Sequence, residues 1–264
     1  MKLATWNVNS LSVRLPQLLA WLDANPVDVV ALQETKLTDD RFPHAELEAA
    51  GYAARCFGQR TYNGVALLAR RDTVAGGAVD VVHNIPGFDD EQARVIAATV
   101  PGGGGPLRVI GAYFPNGQEP GSDKFAYKMR WLGALREWVR AELAAHPALV
   151  LMGDFNVAPE DRDVHDPVLL AGTIHLTPEE RAHFQGLIDL GLFDAFRLFD
   201  QPAKLFSWWD YRMLAFRKNQ GMRIDHILVS QALKRHVEAC HIDKLPRKNE
   251  RPSDHAPVVL TLAE

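Results

Sequence analysis

Carboxylates, carboxamides, a phenol and an imidazole recur in this chain where strand-like apolar runs stop. Asn7 follows Leu3-Ala4-Thr5-Trp6, and Glu34 follows the run from Val27 to Gln33. Tyr113 ends Val109-Ile110-Gly111-Ala112, while Asp154 and Asn156 follow the stretch from Ala148 to Gly153. Asp225 lies in Arg223-Ile224-Asp225-His226, and Asp254-His255 precede a last apolar run, Pro257 to Leu262. Hard oxygen donors with one histidine, gathered from strand ends, describe a Mg²⁺ or Mn²⁺ site that performs hydrolysis. Phosphate esters are the substrates on which such chemistry is most useful. Zinc fits less well, because the ten histidines show no HExxH or Cys/His spacing.

Each residue also has a plainer reading. In extended chain Asp154 and Asn156 share one side and Phe155 takes the other, which turns both polar groups toward one centre. Gly153, Asp154 and Asn156 equally suit an Asx turn. A carboxylate such as Glu34, one residue after an apolar run, must be solvated, paired or bound to metal. Asp254 and His255 are neighbours whose side chains diverge on a strand. Asp225 is available to orient the imidazole. Tyr113 by itself reads as core. Trp208 and Trp209, followed by Tyr211 and Arg212, have the composition of a surface that stacks on bases or an extruded sugar. Arg94 and the helical group Lys124, Lys128 and Arg130 read as phosphate contacts or as surface charge.

The elements that must position these groups follow from apolar patterning. Strand patterns occur over 2–8, 28–34, 64–70, 94–100, 107–114, 148–154, 223–229, 237–243 and 257–262. Helical patterns occur over 11–24, 44–50, 124–145, 178–190 and 230–235. Several strands are apolar along their length, which requires cover on both faces. Two stacked sheets with outer helices, a four-layer α/β sandwich, satisfy this better than one doubly wound sheet. Two halves of similar order, 1–145 and 146–264, are compatible with it. Pro101 to Pro106 reads as a hairpin loop, since it lacks the lysine and the following helix of a phosphate-cradling loop.

At 264 residues and 47% hydrophobic, the chain fits one large α/β domain, 1–264. It shows no signal peptide, no apolar run of membrane-spanning length, and two isolated cysteines, which points to a soluble cytoplasmic protein, and a monomer is expected. The net charge of −4 does not itself mark a nucleic-acid binder. Between Arg197 and Arg251, however, twelve Lys/Arg face six Asp/Glu, as a polyanion-binding face beside an acidic centre would require.

Taken together, these segments closely resemble the exonuclease III family of DNA-repair nucleases, within the endonuclease/exonuclease/phosphatase superfamily. The resemblance rests on Trp6 to Leu11, Leu32 to Lys36, Tyr62 to Ala66, Gly117 to Phe125, Gly153 to Pro159, Phe206 to Arg212, Met222 to His226 and Ser253 to Pro257. These stretches stand in family order and span nearly the whole chain. The resemblance implies a four-layer sandwich acting on duplex DNA, 5′ to abasic sites or at 3′ ends, with Mg²⁺ and with Mn²⁺ as a substitute. It draws the metal ligands from Asn7, Glu34, Asp154, Asn156, Asp254 and His255, with Asn7 and Glu34 foremost. Asp154 would move the proton of water or leaving group, Asn156 would orient the nucleophile, and Tyr113 would donate to the phosphate. His255, oriented by Asp225, would contact the scissile group. Arg94, Asn116, Lys124, Trp208, Trp209 and Arg212 would grip DNA. Asn116 stands where some relatives carry Gln, and His226 where others carry Tyr. The stretch from Asp161 to Glu180 is where relatives are expected to vary. Another phosphoesterase of the superfamily, on inositol phosphates or sphingolipids, and a silent DNA-binding module are the alternatives.

Overall fold

Runs of Val, Ile, Leu and Ala too apolar for a solvated face build two six-stranded sheets in the computed structural model, which describes residues 1–74, 76–102 and 104–263. The strands are β1 (Lys2–Asn7), β2 (Val29–Gln33), β3 (Tyr52–Phe57), β4 (Val65–Arg70), β5 (Val79–His83), β6 (Val95–Gly102), β7 (Gly105–Tyr113), β8 (Leu149–Asp154), β9 (Leu192–Asp194), β10 (Trp208–Trp209), β11 (Gly221–Met222), β12 (Asp225–Ser230), β13 (Val237–Ile242) and β14 (Val258–Leu262). The helices are α1 (Leu11–Ala24), α2 (His44–Ala49), α3 (Asp123–Ala145), α4 (Pro178–Ile188), α5 (Ala215–Lys218) and α6 (Gln231–Lys234). One sheet runs β13-β14-β1-β2-β4-β3 and the other β5-β6-β7-β8-β12-β9, while β10 and β11 form a separate ribbon.

Among the described residues only two pairs in the large sheets are parallel, β1 with β2 and β7 with β8. Parallel neighbours need a crossover, which α1 and α3 supply. Both parallel pairs therefore finish at one end of the sandwich, where Asn7, Glu34, Tyr113 and Asp154 emerge. The inner faces of the sheets share a core that includes Ala31, Leu67, Val109, Met152 and Ile227. Trp131, Leu135 and Phe184 of α3 and α4 cover one outer face, and Leu18, Trp21 and Leu47 of α1 and α2 the other. Helices, two sheets and helices give the four layers expected.

The short or edge elements β3, β5, β9, β10, β11 and α5 are those the apolar pattern did not announce. Residues 79–83 are largely exposed, and Tyr52–Phe57 is Ala-rich with weak alternation. The division into halves at residue 145 does not hold. One sheet uses residues from 79 to 230, whereas the other joins both flanking portions of the chain. The hairpin at Pro101 to Pro106 is present, with Gly102 paired to Gly105, and its Gly103 lies outside the described residues. Among the described residues no helix is long and apolar enough to cross a membrane.

Candidate active site

Asn7 leaves β1 fully buried, and its carboxamide nitrogen donates to Glu34 Oε1 at 3.0 Å and to Asp154 Oδ2 at 2.9 Å. One amide thus links the ends of both parallel pairs. Its Oδ1 accepts from the backbone N–H of Asn9, so in this orientation Asn7 buttresses the carboxylates without offering an oxygen. Glu34, Asp154 and His255 present ligand atoms all within 4.8 Å of one another. Glu34 has φ +51°, a left-handed conformation that turns its side chain off the strand end. Lys36 Nζ lies 3.0 Å from Glu34 Oε2 and 2.6 Å from Asn9 Oδ1. Two hard carboxylates, with room left for water and phosphate oxygens, suit a Mg²⁺-class ion. The imidazole suits it less, because a ring that neighbouring carboxylates keep protonated has no lone pair to offer a metal.

His255 Nδ1 donates to Asp225 Oδ2 at 2.9 Å, and its Nε2 stands 3.6 Å from Asp154 Oδ2. Burial disfavours a charged ring here, but the carboxylates of Asp225 and Asp154 outweigh it and raise the His255 pKa. Asp154 is held above the usual carboxylate range by its own burial, with Asp225 and Glu34 adding to the effect and His255 opposing it. Asp225 is itself fixed by Ser207, whose hydroxyl donates at 2.6 Å. Burial, together with Glu34 and Asp154, keeps the Tyr113 phenol protonated. The site therefore contains donors and a proton-bearing pair facing two carboxylates.

Phe155 is fully buried and stacks on Phe114, as alternation required. Asn156 does not reach the site by simple extension, however. It has φ +50°, and its N–H donates to Asp154 Oδ1, so the Asx turn and the shared orientation are one feature. Gly153 is required beside it, since a Cβ there would lie 1.8 Å from the Ala112 carbonyl oxygen. Asn156 Nδ2 donates to the Phe114 carbonyl at 3.0 Å, and Asn116 Nδ2 reaches Asn156 Oδ1 at 3.4 Å.

Asp254 lies outside the three-residue cluster. It accepts from Asn9 Nδ2 and Trp208 Nε1, each at 3.0 Å, and these bonds with His255 overcome its burial to lower its pKa. Half-buried Trp208 thus lines the lip. Trp209 does not: it is fully buried, packs edge-on against Phe216 and donates to Asn219, because adjacent residues on the ribbon point oppositely. Arg94 is 7% exposed, donates to Gln92 and the Tyr113 carbonyl, and lies 4.9 Å from the Tyr113 ring centre, so it props Tyr113 and has no free face for DNA. Lys128 is likewise internal, whereas Lys124, Asn116 and Arg212 are exposed, Arg212 beside Asp210. The basic excess is smaller at the surface than in the sequence, since Arg223 and Arg247 are buried. In the 161–180 stretch, Asp163 is buried between Arg223 and Arg197, while Val168 and Leu169 project.

Sequence reasoning missed Asn9, Lys36, Ser207, Ser253, His175 and Glu180. Ser253 accompanies Asp254, and its hydroxyl donates to the Asn7 carbonyl at 2.6 Å. Only Asn9, two residues beyond Asn7, carried a spacing signal.

The model of the endonuclease/exonuclease/phosphatase family matches residues 4–255. The chain belongs to that family, in its exonuclease III branch. Exodeoxyribonuclease III of Haemophilus influenzae is 37% identical over 266 residues, covering 98% of each chain. A Neisseria 3′ phosphatase solved with a product DNA hairpin is 46% identical, with TM-score 0.95 over 100% of both chains. An AP endonuclease from Archaeoglobus fulgidus is 32% identical, with TM-score 0.92 over 99% of both. These members of the exonuclease III branch share the architecture from end to end.

Proposed function

We propose that this protein is a Mg²⁺-dependent DNA-repair phosphodiesterase that cuts duplex DNA 5′ to abasic sites or removes nucleotides and blocking groups from 3′ ends. The observation that carries the reading is the buried line Asp225–His255–Asp154, which meets Glu34 at the lip of both sheets. The DNA-acting relatives support the substrate class. Glu34 and Asp154, buttressed by Asn7, are the residues that would hold the cation, with Mn²⁺ a substitute. A bound divalent ion supplies Lewis-acid neutralisation of charge on the phosphoryl oxygens. Asp154, held near a proton by its burial, takes one from water or returns it to the leaving oxygen. His255, kept charged by Asp225, and Tyr113, kept protonated, donate to phosphate oxygens as charge develops. Asn156 orients the nucleophile from the adjacent turn. Trp208 and the exposed Asn116, Lys124 and Arg212 contact the duplex around this centre. The reading takes residues 1–264 as one domain, working as a monomer in the cytoplasm.

The test is incubation of the purified protein with duplexes carrying one abasic analogue, a recessed 3′ end or a 3′-phosphate, with and without chelator. Divalent-dependent cutting or resection is expected. Turnover of soluble phosphate esters in its place would move the protein to another substrate class within the family.

A further inference from the structure

Lys128 of α3 is fully buried, yet all three of its ammonium protons are accounted for. They go to Glu180 Oε1 at 2.5 Å, the Asn156 carbonyl at 2.7 Å and the Asn116 carbonyl at 3.1 Å. The Asn156 carbonyl also accepts from His175 Nδ1 at 2.7 Å. Glu180 cannot follow a displaced lysine. Its second oxygen accepts from the Thr177 N–H at 3.1 Å and the Thr177 hydroxyl at 2.8 Å, in the capping box that starts α4. Asn156 itself sits in the left-handed region, which asparagine enters more readily than most residues, so the turn is local and the clamp fixes where it is held.

We infer that Lys128 and Glu180 are positioning residues, which clamp the backbone of Asn156 and Asn116 so that the two carboxamides meet at the reacting centre. The inference rests on the DNA-cleavage reading above. Stability alone does not call for such a pair, because well-packed apolar residues of similar volume often serve a core as well as buried opposite charges do. What an apolar pair cannot do is direct donors at two loop carbonyls. The clamp joins the turn after β7 to the turn after β8, and so fixes the approach of Asn116 Nδ2 to Asn156 Oδ1. Lys128 contacts no solvent and acts through these carbonyls alone.

The experiment compares the full chain with Lys128→Met/Glu180→Gln, which removes both charges together, and with Glu180→Gln, which keeps the Lys128 donors but removes their counter-charge. The double variant should melt cooperatively and keep KM for an abasic duplex within about threefold. Its kcat should fall about 10²-fold, the scale of a small displacement of a catalytic group. Asn156→Ala should then cost far less in that background than in the wild type, because the residues act as a unit. Independently of activity, the side-chain amide resonance of Asn156 should lose protection from exchange in the double variant and partly in Glu180→Gln. A folded double variant with wild-type kcat, or losses that multiply fully with Asn156→Ala, would overturn the clamp. So would an unaltered Asn156 amide resonance in either variant, including the case where the double variant does not fold. Wild-type protein that cuts no DNA would remove the functional reading, while the amide resonance would still judge the clamp.

Discussion

His226 offers a clean measurement of how the interior beside the site titrates. Arg223 can only donate, so its 3.0 Å contact makes His226 Nδ1 the acceptor, and Nε2–H must donate to the Val157 carbonyl at 2.9 Å. The ring is therefore neutral, and burial with the Arg223 charge lowers its pKa to about 4. In the unfolded chain a histidine titrates near ~6.5. As pH falls from 7 to 5, the unfolded chain takes up this proton and the folded protein does not, so stability is lost on acidification. About 1.5 pH units at ~1.4 kcal/mol each give a loss of about 2 kcal/mol. Asp154 and His255 act in the opposite sense, since their raised pKa values favour the folded state as pH falls, and the wild-type curve alone cannot isolate His226. The assay is therefore urea unfolding of wild type and His226→Gln at pH 7 and pH 5. Any pH-independent cost of the substitution cancels in the difference. The advantage of wild type over the variant should shrink by about 2 kcal/mol between these conditions. Parallel stability curves would falsify the neutral-histidine assignment.

Three further outcomes follow from the site and its supports. Asp154→Asn should leave the fold and DNA binding intact while single-turnover cleavage falls by roughly 10²–10⁴-fold, read on denaturing gels. Glu34→Gln should weaken Mg²⁺ binding at least about tenfold by calorimetry, with activity partly recovered at high metal concentration. Equal affinity would remove Glu34 from the ligand set. Arg223→Met takes the ion-pair partner from Asp194 and leaves buried Asp163 with Arg197 alone, and chemical denaturation should show a loss of about 3–5 kcal/mol.

The main strands and the residues at their ends were legible because buried strands need long apolar runs, and a polar group that interrupts one must have a partner. Glu34, Asp154, Asp225 and His255 all announced themselves in this way. Edge strands such as Val79–His83 did not, since one exposed side relaxes the pattern. Side-chain direction was the weaker part. The Trp208-Trp209 pair has one aromatic composition, yet the ribbon sends one ring to the lip and the other to the core. Arg94 and Lys128 looked like free cations because sequence does not display the carbonyls and carboxylates folded around them. Asn156 reached its expected place by a turn whose left-handed geometry only the three-dimensional contacts reveal.

In the sheet that carries Glu34, β1 lies between β2 and β14, the strand furthest from it along the chain. Ribosomes make these neighbours at nearly opposite times, and His255 arrives only just before β14. A nascent polypeptide made only as far as β13 therefore carries no assembled cutting centre. Stalled chains ending before Ser253 should be inert toward DNA, and activity in them would show that the centre forms without its last-made side.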